Sequence, residues 1–387
     1  MQIVFINYAT YCVASGVHIH FISNMLQDMG HDCTIVLPYV KDENYFGTPK
    51  YTLIDYETFV EKILAGVYSS KTILHAWTPR EQVRTMTLMA AKTLQARYFV
   101  HLEDNERYLL EAQYKKPFAE LVRLTAKGEF NASGHLCHPI LHQAFIAEAA
   151  GVSFLMDRLE EFIPPHVPRQ LIWPACEEDF FSISQRRSMA LRRHFGIPDE
   201  ASVLVYPGNV HYANAATIAP LYHALPLIEA RGHTIRLIRC AGSDHIFADA
   251  EIPALRERYV MDFSNTAPTE LPTFLRMADV LVQPDTPDAF DDYRFPSKLP
   301  LFLASARPVV LPRTNIGAYL TDGHNCRHLE VNTPEAIAGH VADLLEHPET
   351  AAHIGQNGRA FAQEHFNWRN TAQKLLDFYT PVNRGKL

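Results

Sequence analysis

Two stretches combine residue types that do chemistry with a spacing that allows it. In DVLVQPDTPDAFDDYRFPSKLPLFLASARPVV an apolar run ends at Gln283-Pro284, an acidic loop follows, and a helical pattern opens at Ser297-Lys298 before the next apolar run. Strand, loop, helix and strand in that order place the helix start beyond the carboxyl end of a parallel strand. Unpaired N–H groups and the positive end of the helix dipole there receive phosphate. Ser297 adds a hydroxyl donor and Lys298 a full charge, so the turn reads as a diphosphate cradle. A capped core helix without a ligand fits the same residues. In YFVHLEDNERYL, His101 is expected just after a strand, with Glu103 and Asp104 placed to orient it or to meet hydroxyl groups; a solvated acidic loop is the alternative. HLCHPILHQ gathers His135, Cys137, His138 and His142, but Pro139 interrupts the i, i+4 pair, and a structural zinc needs four well-placed ligands, so no metal site is expected.

These groups must be positioned by alternating elements. QIVFIN, CTIVLP, KTILHAW and ARYFVHL read as strands, separated by the helical stretches GVHIHFISNMLQDMGH and PREQVRTMTLMAAKTLQ. Runs uninterrupted by polar residues suit parallel strands covered on both faces. Gly30-His31 is a helix stop. A second alternation begins at SVLVYPG and runs through NAATIAPLYHALPLIEARGH, IRLIRCAG, ELPTFLRMA and DVLVQP. Between the two series lies FIPPHVPRQLIWPACEEDFF, whose prolines suit a connection between domains. The expected division is a Rossmann-like domain over 1–175, joined by a returning helix over 366–387, and a second Rossmann-like domain over 176–365. That returning helix carries Trp368, Ala372, Leu375, Leu376 and Tyr379 on one face.

The 387 residues, 47% apolar and 20% charged, are those of a globular chain of about two domains. A net charge of −8 argues against nucleic acid as a partner, which needs a basic surface. The six cysteines form no C-x-x-C pair, which fits a reducing compartment. No signal peptide or apolar run of about 20 residues is visible, so a cytoplasmic protein is expected. YLLEAQYKKPFAELVRLTAKGEF places Lys115, Lys116, Arg123 and Lys127 among apolar residues, leaving open peripheral contact with the inner face of a membrane; Glu111, Glu120 and Glu129 favour an ordinary solvated helix.

Taken in order, these segments resemble the GT-B nucleotide-sugar glycosyltransferases, and within them the retaining glycosyltransferase family 4. The likeness runs from the loop at Ser15-Gly16-Val17-His18 through LIWPACEEDFF, YPGNVHYANA, CAGSDH, FLRMADVLVQPD and LASARPVV to FNWRNTAQKLLDFY. It implies an α/β protein of two Rossmann-like domains with a cleft between them and a C-terminal helix crossing back to the first domain. The second domain would hold the donor nucleotide and the first the acceptor. By the resemblance, Gly16 lets backbone approach the diphosphate, and Gly208, Asn209, His211, Gly242, Ser297 and Lys298 lie along the donor. His101 falls where the family carries a histidine near the transferring sugar.

The chain departs from the family where its motif has two glutamates in E-x7-E: Tyr293 and Leu301 stand there. Their roles pass to Asp288, Asp291 or Asp292, or are absent. YPGNVHYANA also lacks the family's Arg and Lys, with Arg294 and Lys298 as substitutes. The expected activity is transfer of a sugar from a nucleotide-diphosphate sugar to an acceptor hydroxyl, with retention. His101, Lys298 and Arg294 would carry it, with no cofactor and no metal. The acceptor would be a glycan, a lipid-linked sugar or a protein; the oligomeric state is not legible. The alternative is a non-catalytic GT-B scaffold or partner subunit with a degenerate donor site. The related sugar-nucleotide epimerases carry further carboxylates not found here.

Overall fold

The computed structural model describes all residues except 11–13, 42, 184–187, 211–213, 241–246, 264–265 and 384–387. The chain divides into two compact units. One comprises Met1–Pro174, Tyr293–Phe295 and Trp368–Leu387, the other Ala175–Asp292 and Pro296–Asn367.

The first unit is built on seven parallel strands: β1 (Gln2–Ile6), β2 (Asp32–Leu37), β3 (Thr52–Asp55), β4 (Ile73–Trp77), β5 (Tyr98–Leu102), β6 (Gly151–Phe154) and β7 (Arg169–Leu171). Their spatial order is β3-β2-β1-β4-β5-β6-β7, so the chain reverses direction of growth between β1 and β4. The uninterrupted apolar runs are explained by burial: Ile3, Val4, Phe5 and Ile6 are all fully covered. The helix Ala14–Asp28 ends as its Gly-His stop requires, with Gly30 at φ +83° and the His31 N–H returning to the Leu26 carbonyl at 3.0 Å. The C-terminal helix Trp368–Asn383 packs on this unit through its apolar stripe, with Trp368 stacked on Phe21 at 5.2 Å. β3, β6 and β7 lack a strong sequence pattern. β3 lies half-exposed at the sheet edge, and β7 sits inside the Pro-rich passage.

The second unit carries six parallel strands: β8 (Ser202–Tyr206), β9 (Ile235–Arg239), β10 (Val260–Asp262), β11 (Val280–Val282), β12 (Val309–Leu311) and β13 (Arg327–His328). Their order is β10-β9-β8-β11-β12-β13, with the reversal between β8 and β11. The helix Ala215–Ala230 holds Pro220 and Pro226 in its interior and still runs continuously, its face anchored by buried Ile218, Leu221, Leu225 and Ile228. Packing there overrides the loss of two backbone donors. Among the described residues no helix is long and apolar enough to cross a membrane.

Candidate functional site

Parallel sheets concentrate ligands at the carboxyl edge beside the strand where the order reverses. In the first unit that edge is β1, β4 and β5. Register places Trp77 opposite His101 and His101 opposite Ser153, so the three side chains share one face across adjacent strands. The His101 ring stacks on the Trp77 indole at 3.9 Å. The indole N–H donates to Glu103 Oε1 at 2.7 Å, the same oxygen lies 3.1 Å from His18 Nδ1, and Ser15 Oγ donates to Oε2. All of these groups are buried. Burial alone would raise the Glu103 carboxyl, yet hydrogen bonding and charge from His18, with His101 and Ser15, hold it down to about 2. Burial pushes His101 down to about 3 against the pull of Glu103, so the imidazole is neutral at neutral pH.

The same edge leaves polar atoms over. Asn7 Nδ2 and Oδ1, Thr78 Oγ1, His18 Nε2 and His101 Nε2 are buried without a hydrogen-bond partner among the described residues. Thr78, the residue after β4, holds φ +89°, a costly conformation for a β-branched side chain. Unsatisfied buried polar atoms and backbone strain at a reversal point are what a polar ligand would relieve.

Beside this network the Arg80 guanidinium lies 3.9 Å over the Tyr8 ring and pairs with Glu106 at 3.1 Å and Asp104 at 3.2 Å. Burial pushes Glu106 up to about 7 despite Arg80, because Asp104 and Glu103 crowd the same cation. Arg294 clusters with this unit and lowers Asp104, whose carboxyl burial otherwise raises.

In the second unit the carboxyl edge of β8 is cationic. Lys298 Nζ lies 5.4 Å from the centre of the Tyr206 ring, and the buried Arg239 guanidinium 4.9 Å from it. Arg239 Nη1 also donates to the Tyr206 carbonyl. Gly208 lies under the lysine: a Cβ there would stand 3.0 Å from Lys298 Cε and 2.8 Å from Tyr206 Oη. Asn214 begins the helix Ala215–Ala230 and donates to the Asn209 carbonyl at 3.0 Å. Lys298 opens a helix of seven residues, Lys298–Ala304; Ser297 precedes it without a side-chain capping bond.

The carboxylates of the acidic loop are hydrogen-bonded within the second unit. Asp288 Oδ1 accepts the N–H groups of Phe290 and Asp291, Asp291 Oδ2 accepts that of Thr286 at 2.8 Å, and Thr314 Oγ1 donates to Asp292. Asp288 and Asp291 are engaged by the loop's own N–H groups, and Asp292 by Thr314 from beyond β12. Tyr293, in place of the first family glutamate, donates to Glu161 at 2.8 Å, and Leu301 is half-buried.

Placement corrects several expectations. His101 is not beyond its strand but inside β5 and fully buried. Gly16 lies in the first turn of the helix Ala14–Asp28 rather than in a loop. Lys298 and Arg294 fall in different units, and Arg239, which sequence reading took as part of a strand, is the cation that accompanies Lys298. His211 and Gly242 lie outside the described residues. His138 Nδ1 caps the turn into Leu141–Ala147, His142 Nδ1 bonds the His138 carbonyl, and among the described residues no group of three His, Cys, Asp or Glu could hold a metal. The basic stretch is two short helices, Glu106–Tyr114 and Phe118–Ala126, broken at Lys115 with φ +54°.

Residues 201–347 match the protein family described as "Glycosyl transferases group 1". A D-inositol 3-phosphate glycosyltransferase of Thermobispora bispora is 27% identical over 204 residues, which are 49% of this chain and 46% of that protein. The chain spans 31% and 46% of the length of the curated relatives it matches. Among solved structures, Anabaena HepE in complex with UDP and glucose superposes with a TM-score of 0.71 at 12% identity, over 98% of this chain and 100% of that one. A glycosyltransferase of Rickettsia africae gives 0.71 at 13% identity over 100% of both chains. The fold is GT-B.

Proposed function

We propose that this GT-B protein is a glycosyltransferase that moves a sugar, hexosyl in type, from a nucleotide-diphosphate donor to an acceptor hydroxyl with retention of anomeric configuration, in the manner of family 4. The observation that carries the reading is Lys298 over Tyr206 and Gly208 at the carboxyl edge of β8, inside the segment that matches the transferase family. A departing diphosphate gathers negative charge, and a lysine fixed at a helix start stabilises it without a metal. Arg239 holds Tyr206 and adds to the positive field. UDP in the HepE complex supports a nucleoside diphosphate as the group bound. In the first unit, neutral His101 and the leftover polar atoms of Asn7 and Thr78 suit sugar hydroxyls. The acceptor belongs to a glycan, a lipid-linked sugar or a protein, and the setting is the cytoplasm, with contact to a membrane surface where the acceptor is lipid-linked.

The absence of both motif glutamates, replaced by Tyr293 and Leu301, favours a second reading, a non-catalytic subunit with a decayed donor site. Calorimetric titration with UDP, GDP and ADP, followed by release assays with the corresponding sugars, separates the two. Micromolar binding of one diphosphate and its release from the matching sugar are expected. Failure of all three to bind at millimolar concentration would overturn the proposal.

A further inference from the structure

Behind His101 runs a chain of hydrogen bonds that reaches the C-terminal helix. Ser153 Oγ lies 2.6 Å from His101 Nδ1 and 3.1 Å from His75 Nε2, and His75 Nδ1 lies 2.6 Å from the Tyr379 hydroxyl. His75, His101, Ser153 and Tyr379 are all fully buried. The hydroxyl of Tyr379 has His75 as its one hydrogen-bond partner among the described residues. We propose that Tyr379, His75 and Ser153 are positioning residues that fix His101 as the Nε2–H tautomer, making it a hydrogen-bond donor to the transferring sugar and not a base.

The direction of the chain follows from its closed end. A buried phenol proton without an acceptor costs more than a lone pair left empty, so Tyr379 donates to His75 Nδ1. His75 is neutral, because burial and the neighbouring His101 push its pKa well down, and its single ring hydrogen therefore sits on Nε2. His75 Nε2–H then donates to Ser153 Oγ, and the serine hydrogen goes to His101 Nδ1. With Nδ1 an acceptor and the ring neutral, the hydrogen of His101 is on Nε2, the atom left without a partner. Either direction leaves one hydrogen without a partner: this one leaves it on His101 Nε2, at the edge proposed to receive the sugar, and the opposite one would leave it on the Tyr379 hydroxyl at the closed end. Stacking on Trp77 at 3.9 Å keeps the imidazole from flipping out of this arrangement.

The role given to His101 and the direction of the chain rest on the proposed transfer reaction, whose sugar supplies the acceptor for Nε2–H; the chain of contacts itself does not. The test is a long-range 1H–15N correlation spectrum of the full chain labelled with 15N-histidine, with His101 assigned by the peaks absent from His101→Gln. The wild type is expected to show His101 with Nε2 protonated and Nδ1 bare. Tyr379→Phe should shift the tautomer ratio toward Nδ1–H by about tenfold, the worth of one hydrogen bond. Ser153→Ala should do the same or more, and Ser153→Thr should restore the wild-type pattern. Nδ1–H in the wild type, or an unchanged ratio in folded Tyr379→Phe, would overturn the proposal; if Ser153→Ala does not fold, those two spectra decide. The expected spectra without sugar transfer from any donor would sink the transferase reading and leave the tautomer assignment standing.

Discussion

The carboxyl edge of β4 and β5 in the first unit is sealed: Trp77, His101 and Glu103 are buried, and their polarity is matched internally except at a few atoms such as His101 Nε2. At the carboxyl edge of β8 in the second unit, Lys298 is only half-buried and its ammonium rests over an aromatic face. Both edges belong to parallel sheets of one construction. The difference is in what each can do for a ligand. A buried network with a neutral imidazole holds donors and acceptors at fixed angles, which suits reading hydroxyl groups. A partly hydrated cation on a flexible stem meets a charged group at little desolvation cost. Under the proposed function, the first edge supplies position and the second supplies charge.

The largest expected effect breaks the sealed edge. Glu103→Ala removes the partner of Trp77 Nε1, His18 Nδ1 and Ser15 Oγ together, and should cost about 3–5 kcal/mol of stability. Trp77, Trp173 and Trp368 all lie in the first unit, so tryptophan emission during urea unfolding reports on it alone. A loss below about 1 kcal/mol would mean that Glu103 is not the hub of that edge. Next, His101→Ala should lower turnover by roughly 10- to 1,000-fold with nucleotide affinity nearly unchanged. Lys298→Ala should do the converse, weakening nucleoside-diphosphate binding by about 2–3 kcal/mol with an intact thermal transition. Reversal of the two phenotypes would refute the division of labour.

The sealed edge also predicts a pH signature. Glu106 is raised to about 7 in the fold, mainly by burial, from an ordinary value of 4.5. Between those values the folded state keeps a proton that the unfolded state has lost, so stability falls as pH rises across this window. Glu103, held at about 2, has the opposite sign: its stabilisation is present above about 4.5 and drains away as pH falls toward 2. His101 and His75, held neutral by burial, slope the other way below about 6.5, so the Glu106 contribution is read by difference: in thermal unfolding followed by tryptophan emission, the stability of Glu106→Gln relative to the wild type should rise from pH 4.5 to 7. A difference that stays flat there would show that Arg80 keeps Glu106 ionised.

How far these edges were legible in the sequence differs in the same way. Lys298 could be read because a lysine at a helix start after an apolar run is a local pattern. Arg239 could not, because a basic residue ending IRLIR has no local mark of lying against Tyr206. His101 was found by its motif, yet its burial inside β5 depends on β6 and on Ser153, which no periodicity revealed. Tyr379 was read from its helical spacing as one more apolar contact; its hydroxyl bond to His75 joins residues 304 apart in sequence. Trp368 to Tyr379 did fall on the buried face as expected, since that stripe is set by helix geometry alone. In the acidic loop, Asp288 and Asp291 accept N–H groups of their own loop and Asp292 the hydroxyl of Thr314, contacts that no local pattern announces.

The smallest expected effect sharpens the comparison by asking how each edge takes one added carbon. In the first unit, a Cβ at Gly151 would stand 2.5 Å from the ring of Phe378 and 3.1 Å from that of Phe99, both rigid and packed, so Gly151→Ala should be a stability defect. At Gly208 the obstacles are the Tyr206 phenol, Oη at 2.8 Å and Cζ at 2.9 Å, and Lys298 Cε at 3.0 Å; the lysine can swing aside, whereas the Tyr206 ring is buried. Gly208→Ala should therefore lower the thermal transition less than Gly151→Ala does and weaken nucleoside-diphosphate binding roughly fivefold, about 1 kcal/mol, by displacing the ammonium. If the loss runs through Lys298, the substitution should have no further effect in a Lys298→Ala background, since the group it displaces is gone. Calorimetry on the four proteins of that cycle measures this directly. Additive losses would mean that Gly208 acts through its own backbone approach to the ligand, and Lys298 would then be one of two independent contacts at this edge.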